Sequence, residues 1–291
     1  MKQNTSSLQL FLVTRAEAGQ TLQAFLSRKY AVSLREAKAL LDARRVWVNR
    51  RLVWMARHPL KAGDVVEAPK PDAKRGEKTL KPEAPRKIRV LVENDNYLVV
   101  DKPAKLLSVG KNSVEALLRE QTGNPSVCAV HRLDRDTTGC LLFAKSEAAR
   151  EAAVMVYKTH KVSKFYQAVV AGYYDRKSST LTAELDGERA ISHITRIMAT
   201  KDASFLKIRI ETGRTHQIRR HLSMLHFPVL GDSEYGMKKA RDPRMLTLPR
   251  HMLHACSLEL QDPLNPHEEI KAHSPLPADF RRCLQLFGMG R

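Results

Sequence analysis

The sequence predicts an α+β fold with a mainly antiparallel mixed sheet, preceded by a small α/β module. Two observations indicate this class. Short β-type runs recur throughout residues 88–291 with only a few amphipathic helical stretches between them, and a Pro-rich basic segment separates these runs from residues 1–68. The 291 residues, 43% of them apolar, are enough to build a hydrophobic core in each part.

The first 68 residues are predicted to pack helices against a few short strands. Ser33 and Glu36 have capping-box spacing at the start of a predicted helix, AVSLREAKALLDARR. Leu34, Ala37 and Leu41 fall on one apolar stripe of this helix. Two short β-type pieces, VWVN and RLVWM, and the turn LKAGDVVEA complete the module.

The opposite face of this helix is basic. It carries Arg35 and Lys38, and residues 1–68 hold 12 basic against 5 acidic residues. Most charged faces are simply solvated, but this excess of positive charge favours contact with RNA. We therefore interpret Arg35 and Lys38 as candidate RNA-binding residues.

A linker is predicted between the two parts. Residues 69–87 read PKPDAKRGEKTLKPEAPRK, with four prolines, seven Lys or Arg and three acids. This composition offers almost no apolar surface to a core, so we expect a semi-extended segment, with a solvated loop as the alternative. The predicted organisation is a module at 1–68, a linker at 69–87 and a larger domain at 88–291.

The larger domain is rich in predicted strands. A hairpin is expected in KIRVLVENDNYLVVDKP, turning at Asn94–Asn96, and CLLFAK is typical of a short buried strand. Ser146 has the N-cap position before the helix EAAREAAVMVYKTH. KFYQAVVAG and SFLKIRIE are further strands, and in the second Leu206 and Ile208 face away from Lys207.

The net charge narrows the partners. Fifty Lys and Arg residues against 31 Asp and Glu give a formal charge of +19, which indicates that the protein binds a polyanion, with nucleic acid the first candidate.

No apolar run approaches the ~20 residues of a membrane span, and the N-terminus lacks the apolar core of a secretory signal. The four cysteines are scattered without a Cys-x-x-Cys pair, which argues against a disulfide framework. We expect a cytoplasmic monomer with no membrane partner.

The stretch HRLDRDTTG brings two carboxylates and two guanidinium groups into one segment. Thr137–Gly139 are turn formers next to the strand CLLFAK, so Asp134 and Asp136 are expected in an irregular segment of the kind that often carries function. The flanking Arg132 and Arg135 favour an ionised carboxylate, which suits a nucleophile or a base. A surface salt-bridge cluster is the alternative, and chemistry alone does not separate Asp134 from Asp136.

A second cluster of charge begins a predicted helix in ETGRTHQIRRHL. Arg214, His216, Arg219 and Arg220 gather around its N-terminus, where backbone N–H groups already favour an anion. Helix N-termini normally prefer acidic residues. The pattern therefore indicates a site for a phosphate, or for a carboxylate from another loop.

The sequence offers no pattern for a metal or a nucleotide cofactor. His216 and His221 are five residues apart, not the three or four that place two imidazoles on one helix face, and no acidic cluster accompanies them or His131. Glycine-rich phosphate-binding patterns are also missing. We therefore expect neither a metal nor a cofactor.

The strand KFYQAVVAG places Lys164 and Tyr166 on one face, together with Ala168 and Val170. An aromatic residue on a strand usually packs in a core. A tyrosine beside a lysine can also act as a stacking platform for a base lifted out of RNA. Both interpretations fit the residues.

In this order, HRLDRDTTG, KFYQAVVAG and GRTHQIRRHL, preceded by VVDKP and followed by GDSEYG and LHA, resemble the RluA-type family of RNA pseudouridine synthases. The resemblance covers residues 88–285. It implies an enzyme that isomerises uridine to pseudouridine in RNA without a cofactor, after the base has been extruded from its helix.

The resemblance also implies roles for individual residues. Asp134 matches the catalytic aspartate, which would attack C1′ or remove the 2′ proton, and Arg132 matches the arginine that replaces the extruded uridine. Tyr166 matches the tyrosine that packs on the base and is proposed to take the C5 proton, and Arg219 matches the arginine that pairs with the aspartate. Thr138 stands where serine is usual and keeps the hydroxyl. The residues expected to support this site or to bind RNA are Arg214, His216 and Lys164.

The N-terminal module resembles an S4 RNA-binding domain in TLQAFL, the helix that follows, VWVN and GDVV, although Arg45 and Arg50 replace its usual glycines. Together the two resemblances imply a synthase that acts on large-subunit ribosomal RNA. A tRNA-directed synthase of the same family is one alternative. A non-catalytic RNA-binding factor in ribosome assembly is the other.

Overall fold

The computed structural model describes residues 8–42, 45–69, 87–237 and 242–290. The chain divides into two compact units, Met1–Lys81 and Pro82–Arg291. This division falls within the segment predicted as a linker, residues 69–87, most of which (70–86) lies outside the described residues. The extended conformation of that segment therefore stays a prediction.

The described residues form fourteen strands and six α-helices. The strands are β1 (Leu8–Leu12), β2 (Trp47–Val48), β3 (Arg51–Leu52), β4 (Val65–Pro69), β5 (Arg89–Glu93), β6 (Tyr97–Lys102), β7 (Cys128–Ala129), β8 (Thr138–Ala144), β9 (Ser163–Ala171), β10 (Ser178–Leu185), β11 (Glu188–Ala199), β12 (Ala203–Ile210), β13 (Leu253–Gln261) and β14 (Glu269–His273). The helices are α1 (Leu22–Tyr30), α2 (Leu34–Asp42), α3 (Val114–Thr122), α4 (Glu147–Lys158), α5 (Gln217–Met224) and α6 (Ala278–Leu286). Within these segments no helix is long and apolar enough to cross a membrane.

The smaller unit combines α1 and α2 with a four-stranded antiparallel sheet in the order β1-β4-β2-β3. Its core includes Phe25, Leu41 and Val66. The predicted capping box is present, because Ser33 N donates to Glu36 Oε2 at 2.8 Å and Glu36 N donates to Ser33 Oγ at 3.2 Å. These two bonds satisfy backbone groups that the helix itself leaves unpaired.

Three predictions for this unit need correction. The sequence predicts a helix through residue 45, but α2 is described as Leu34–Asp42 and Arg45 is not helical, while residues 43 and 44 lie outside the described residues. It predicts a strand at RLVWM, but β3 contains only its first two residues. It also predicts Leu34 on the buried stripe, whereas Leu34 is 56% exposed and Leu40 is buried instead. Leu34 opens the first turn and lies beyond the core, while Leu40 shares a face with Ala37 and Leu41.

The larger unit is built on one ten-stranded sheet. Eight of its strands follow the order β10-β11-β12-β9-β13-β8-β6-β5, while β14 pairs with β13 and β7 pairs with β8. Its strand pairs are antiparallel except for β8 and β13, which run parallel where Thr138–Gly139 pair with His254–Ala255. The α+β class with a mainly antiparallel mixed sheet is therefore confirmed.

Several local predictions in this unit are also confirmed. β5 and β6 form the expected hairpin, and β8 is buried along its whole length. Ser146 Oγ caps α4 by accepting from Ala149 N at 3.2 Å. In β12 the apolar Leu206 and Ile208 are buried while Lys207 is exposed. Alternation along a strand thus identified the buried face correctly.

Gly139 allows β8 and β13 to approach each other. Its φ of +109° lies in a region that L side chains rarely adopt, and a Cβ at this position would lie 2.1 Å from the carbonyl oxygen of Ala255. Only glycine fits here without moving one of the two strands. The close approach fixes the end of β8 that follows HRLDRDT.

Candidate active site

The segment His131–Thr137 leads into β8 and is fastened at its C-terminal end. Thr137 N donates to Asp134 O at 3.1 Å, which closes a turn. Thr137 Oγ1 lies 2.8 Å from His251 Nε2 and Thr138 Oγ1 lies 2.9 Å from His254 Nδ1. Both threonine hydroxyls are thereby bonded to the segment that forms the start of β13, and the turn that carries Asp134 is held in place.

Asp134 is partly exposed at an open cleft. Its side chain is 27% exposed, Arg219 Nη1 donates to its Oδ2 at 3.0 Å, and His216 Nε2 lies 3.7 Å from its Oδ1. The sequence places these groups 82 or more residues apart, and the fold brings them together. The basic groups at the start of α5 therefore bind a carboxylate from another loop, and that carboxylate is Asp134.

Arg219 is held from its other side by a second carboxylate. Its side chain is 6% exposed, and it binds Asp232 in a fork, with Nε to Oδ2 at 2.6 Å and Nη2 to Oδ1 at 2.9 Å. Nη2 also lies 3.2 Å from Glu234 Oε2. Burial disfavours the charged guanidinium, but the bonds to Asp232 and Asp134 outweigh it and raise the pKa of Arg219.

Asp232 is a site residue that sequence reasoning missed. Its side chain is fully buried, and besides Arg219 it accepts hydrogen bonds from the backbone N–H groups of Glu234 and Tyr235. Burial opposes ionisation, yet Arg219 holds the pKa of this carboxyl below its usual value. The motif GDSEYG contains Asp232, but nothing in its local pattern indicates a buried partner for an arginine on a helix.

The other basic groups at the start of α5 have different partners. His216 adopts a left-handed conformation at the N-cap, and its Nδ1 lies 3.1 Å from Tyr235 Oη. Arg214 lines the cleft and forms an ion pair with Glu188. Arg220, which the sequence groups with them, pairs with an exposed aspartate on the loop between β10 and β11. Of the four predicted groups, Arg219 and His216 approach Asp134.

Tyr166 forms part of the inner wall of the cleft. It is 8% exposed, and Leu133, Ile218 and Leu253 line the cleft with it. Burial, together with the nearby Asp134 carboxylate, raises the pKa of the Tyr166 phenol. The ring is thus both buried in the core and open to the cleft, which combines the two interpretations that the sequence allows.

Arg132 and Lys164 both lack a carboxylate partner among the described residues but differ in burial. Arg132 is exposed and lines the cleft, and its side chain has no hydrogen bond or ion pair within the part of the chain that the structure describes. Lys164 is 7% exposed, its Nζ lies 5.3 Å from the centre of the Tyr157 ring, and burial lowers its pKa to about 8. A Cβ on Gly213, which lines the cleft, would lie 4.0 Å from Lys164 Nζ.

Asp136 has a different environment from Asp134. It pairs with Arg135 at 3.1 Å, and its Oδ1 is buried and has no hydrogen-bond partner among the described residues. The residues lining the described cleft include Asp134 and not Asp136. The structure thus separates two aspartates that the sequence leaves equivalent.

The two candidate residues of the smaller unit lie on α2. Arg35 and Lys38 are both exposed, and Lys38 Nζ lies 2.8 Å from Asp42 Oδ2, one helical turn away. This exposed pair contributes little to stability. Both side chains stay accessible to a partner.

Comparison with known proteins identifies the family. A family model described as RNA pseudouridylate synthase matches residues 96–224. The chain is 32% identical to the ribosomal large subunit pseudouridine synthase D of Pseudomonas aeruginosa over 70% of this chain and 73% of the relative. The chain belongs to the RluA-type family of RNA pseudouridine synthases. It is an enzyme that isomerises uridine in RNA to pseudouridine.

Two further comparisons extend this result. The ribosomal large subunit pseudouridine synthase D of Vibrio cholerae is 28% identical over 92% of this chain and 91% of its own, so the similarity reaches beyond the larger unit. The structure of human RNA pseudouridylate synthase domain containing 1 matches with a TM-score of 0.55 and 25% identity, over 66% of this chain and 84% of that one. The fold and the sequence therefore identify the same family.

Lys102 is a second residue of this synthase that sequence reasoning missed. It is fully buried at the end of β6, and its Nζ donates to the carbonyl oxygens of Pro103 at 3.0 Å, Arg135 at 2.9 Å and Thr137 at 2.9 Å. Burial lowers the pKa of Lys102 to about 7. Three carbonyl acceptors match the three donors of an ammonium group, so Lys102 fixes the backbone on both sides of Asp136.

Proposed function

We propose that this synthase modifies uridine in large-subunit ribosomal RNA in the cytoplasm, with Asp134 as its catalytic carboxylate. The observation that carries the proposal is the 3.0 Å contact between Asp134 and Arg219 at the mouth of a cleft lined by Tyr166. The names of the relatives from Vibrio cholerae and Pseudomonas aeruginosa and the formal charge of +19 support ribosomal RNA as the substrate.

Asp134 acts at the ribose of the target nucleotide. It either attacks C1′ or removes the 2′ proton, and both routes require the ionised carboxylate. Arg219 keeps one oxygen of Asp134 engaged at 3.0 Å and orients the other toward the substrate. Because Arg219 is anchored by Asp232, its guanidinium does not have to be ordered when substrate arrives.

Arg132 enters the RNA helix as the uridine leaves it. Extruding a base costs a few kcal/mol, and a planar side chain that stacks in the vacancy offsets part of that cost. The exposure of Arg132 and the lack of an intramolecular partner in the described residues support this role, since no ion pair has to be broken first.

Tyr166 packs on the extruded uracil as a neutral phenol. Its pKa is raised by burial and by the charge of Asp134, so it does not start the reaction as a base. Either route regenerates the Asp134 carboxylate when the C1′–C5 bond forms, and the C5 proton leaves afterwards. The neutral Tyr166 hydroxyl can accept that proton only by passing its own phenolic proton on, to the regenerated carboxylate or to water, so Tyr166 acts as a relay.

The supporting residues surround these groups. His216 faces Asp134 at 3.7 Å and limits its orientations, while Lys164 and Arg214 supply positive charge for the RNA backbone near Gly213. In the smaller unit the exposed Arg35 and Lys38 add phosphate contacts.

The test compares Asp134→Asn with Asp136→Asn. RNA from cells lacking this enzyme, labelled with tritium at C5 of uridine, is separated into ribosomal and transfer fractions, and label release is followed. We expect Asp134→Asn to release no label above background, and Asp136→Asn to release label within about tenfold of the wild-type rate, since its loss disturbs only the turn.

The outcomes are distinct. Loss of activity in Asp136→Asn with activity retained in Asp134→Asn would reverse the assignment of the catalytic carboxylate. Release from the transfer RNA fraction alone would replace the ribosomal substrate with tRNA. Circular dichroism of both variants serves as the control for folding.

A further inference from the structure

Residues 104–112 connect β6 to α3 by a loop whose side chains alternate between buried and exposed. Leu106 is 6% and Ser108 is 4% exposed, whereas Leu107 and Val109 are 47% and 42% exposed. The flanking lysines of the loop are exposed as well, and the loop contains no acidic residue. The outward-facing side chains are Lys105, Leu107, Val109 and Lys111.

Ser108 ties this loop to the segment that carries Asp134. Its hydroxyl donates to Leu133 O at 2.9 Å and accepts from Leu133 N at 3.0 Å. Leu133 stands between Arg132 and Asp134 in the chain and lines the cleft. Both backbone groups of the residue between the two proposed functional side chains are therefore fixed by one hydroxyl of the loop.

The base of the loop is equally well held. Val114 N donates to Leu107 O at 2.9 Å, and Glu115 N donates to Ser108 O at 3.2 Å. Ser113, which is fully buried, caps α3 by accepting from Ala116 N at 3.2 Å. The backbone that carries Leu107 and Val109 is therefore ordered, and the two side chains cannot fold back into the core. Exposing two neighbouring large aliphatic groups to water is unfavourable unless a partner covers them.

We propose that residues 104–112 are a second RNA-contacting element beside Arg132. In this proposal Arg132 fills the vacancy, and Leu107 and Val109 pack against the neighbouring bases that are displaced when the target uridine leaves its helix. Lys105 and Lys111 bind the phosphates on either side. The inference rests on the proposed function, because it needs the uridine to be extruded at Asp134.

The chemistry of the loop favours RNA over other occupants. Aliphatic side chains wedged between bases and flanked by Lys or Arg are a recurrent way of stabilising a distorted helix. The loop offers this combination, and through Ser108 and Leu133 it is continuous with the cleft where a base must be accommodated. Two of the four exposed side chains are lysines, and their charges disfavour a partner that is held mainly by apolar contacts.

The test uses the full chain and deproteinised large-subunit ribosomal RNA, labelled with tritium at C5 of uridine and taken from cells lacking the enzyme. Leu107→Ser/Val109→Ser removes the aliphatic groups. Ile197→Ser/Met198→Ser is the matched control, because these β11 residues belong to the same unit and are 47% and 36% exposed. Single-turnover rates with enzyme in excess and RNA affinities by filter binding are measured for both.

We expect the loop variant to release label roughly tenfold or more slowly, while its Kd for the RNA rises by less than about threefold, since the contact forms only with the extruded state. The control variant should match the wild type. Lys105→Ala/Lys111→Ala should weaken binding and reduce the slope of log Kd against log salt by up to about 2. Ser108→Ala should lower the rate without changing that salt slope.

Several results would overturn the proposal. Equal rates for the loop variant and the control on deproteinised RNA would do so, and so would a defect seen only on ribosomal particles, which would make a ribosomal protein the partner. A wild type that releases no label would instead refute the proposed function, so the two failures are distinguishable. A shift to a dimer in the wild type that the loop variant abolishes would assign the surface to a second copy of the chain.

Discussion

Arg219 and Arg250 are both almost fully buried, and both hold an aspartate in a fork. Arg219 binds Asp232 at 2.6 and 2.9 Å, and Arg250 binds Asp279 at 2.7 and 3.1 Å. The remaining donor of Arg219 binds Asp134, whose carboxylate is open to the cleft. The two regions thus share a forked Arg–Asp ion pair but differ in what the remaining donor of the arginine binds.

The remaining donor of Arg250 binds only backbone. Its Nη1 reaches the carbonyl oxygens of Asp136 at 3.1 Å, His251 at 2.9 Å and Leu253 at 3.2 Å. Each of these acceptors belongs to a fixed segment, so the region around Arg250 is closed. A buried ion pair whose donors all end on fixed atoms stabilises the fold, whereas one that leaves a carboxylate accessible can also serve a reaction.

The largest effect on stability is expected from Arg250→Met. This change leaves Asp279 half-buried without its partner and leaves three carbonyl oxygens without a donor. We expect the free energy of unfolding to fall by about 3–5 kcal/mol, measured by urea unfolding. Arg282→Met, an exposed arginine on the same helix as Asp279, should change it by less than about 0.5 kcal/mol. Equal losses in the two variants would refute the structural role of Arg250.

Arg219→Lys and Arg250→Lys separate the two regions by activity. A lysine keeps the charge but cannot bind Asp232 in a fork and reach Asp134 as well. We expect Arg219→Lys to slow label release by about a hundredfold, equivalent to about 2.7 kcal/mol. Arg250→Lys should keep the rate of its folded fraction within about threefold of the wild type. Similar losses of rate in both variants would remove the distinction drawn between the regions.

A smaller effect is expected from Asp232→Asn. Arg219 would keep Asp134 and Glu234 as partners, so the free energy of unfolding should fall by only about 1–3 kcal/mol. The guanidinium would lose its anchor, and we expect kcat to fall about tenfold with KM nearly unchanged. Asp279→Asn is the control and should leave both constants unchanged. A larger rise in KM than fall in kcat would assign Asp232 to RNA binding instead.

The last prediction concerns the pH dependence of stability and His251, which lies in the region of Arg250 but is also close to the charge of Arg219. Burial, followed by the charge of Arg219, lowers the pKa of His251 to about 4 from 6.5. Between these values the unfolded chain binds a proton that the folded chain does not, so stability falls as pH falls. The slope is at most about 1.4 kcal/mol per pH unit for this group. Urea unfolding across this window should give a flatter slope for His251→Asn, and an unchanged slope would contradict the buried neutral imidazole.

Local patterns were sufficient to predict much of the secondary structure. The N-caps at Ser33 and Ser146 depend on residues three apart, and the alternation in β12 depends on residues two apart. A short segment of sequence is therefore enough to predict each of these features. The position of β13 between β9 and β8 depends on contacts across the whole unit. No local periodicity encodes such a neighbour.

The site was predictable where a motif carried it. Asp134, Tyr166 and Arg219 were located through the resemblance to the family, and the fold brings all three to one cleft. Asp232 and Lys102 were not, because a charged side chain in a sequence gives no sign that it is buried, and burial is what makes each of them important. Their partners lie on other segments of the chain.

The central place of β13 means that the sheet of the larger unit is completed late in synthesis. His254 is bonded to Thr138 across 116 residues, so the turn carrying Asp134 lacks this one of its contacts until the last part of the unit has been synthesised. At about 5–20 residues per second, that interval lasts roughly 6–23 s for these 116 residues. During it the nascent chain is already basic and close to ribosomal RNA, yet it carries no assembled site. A chain that ends before His254 would therefore lack this bond to the turn that carries Asp134.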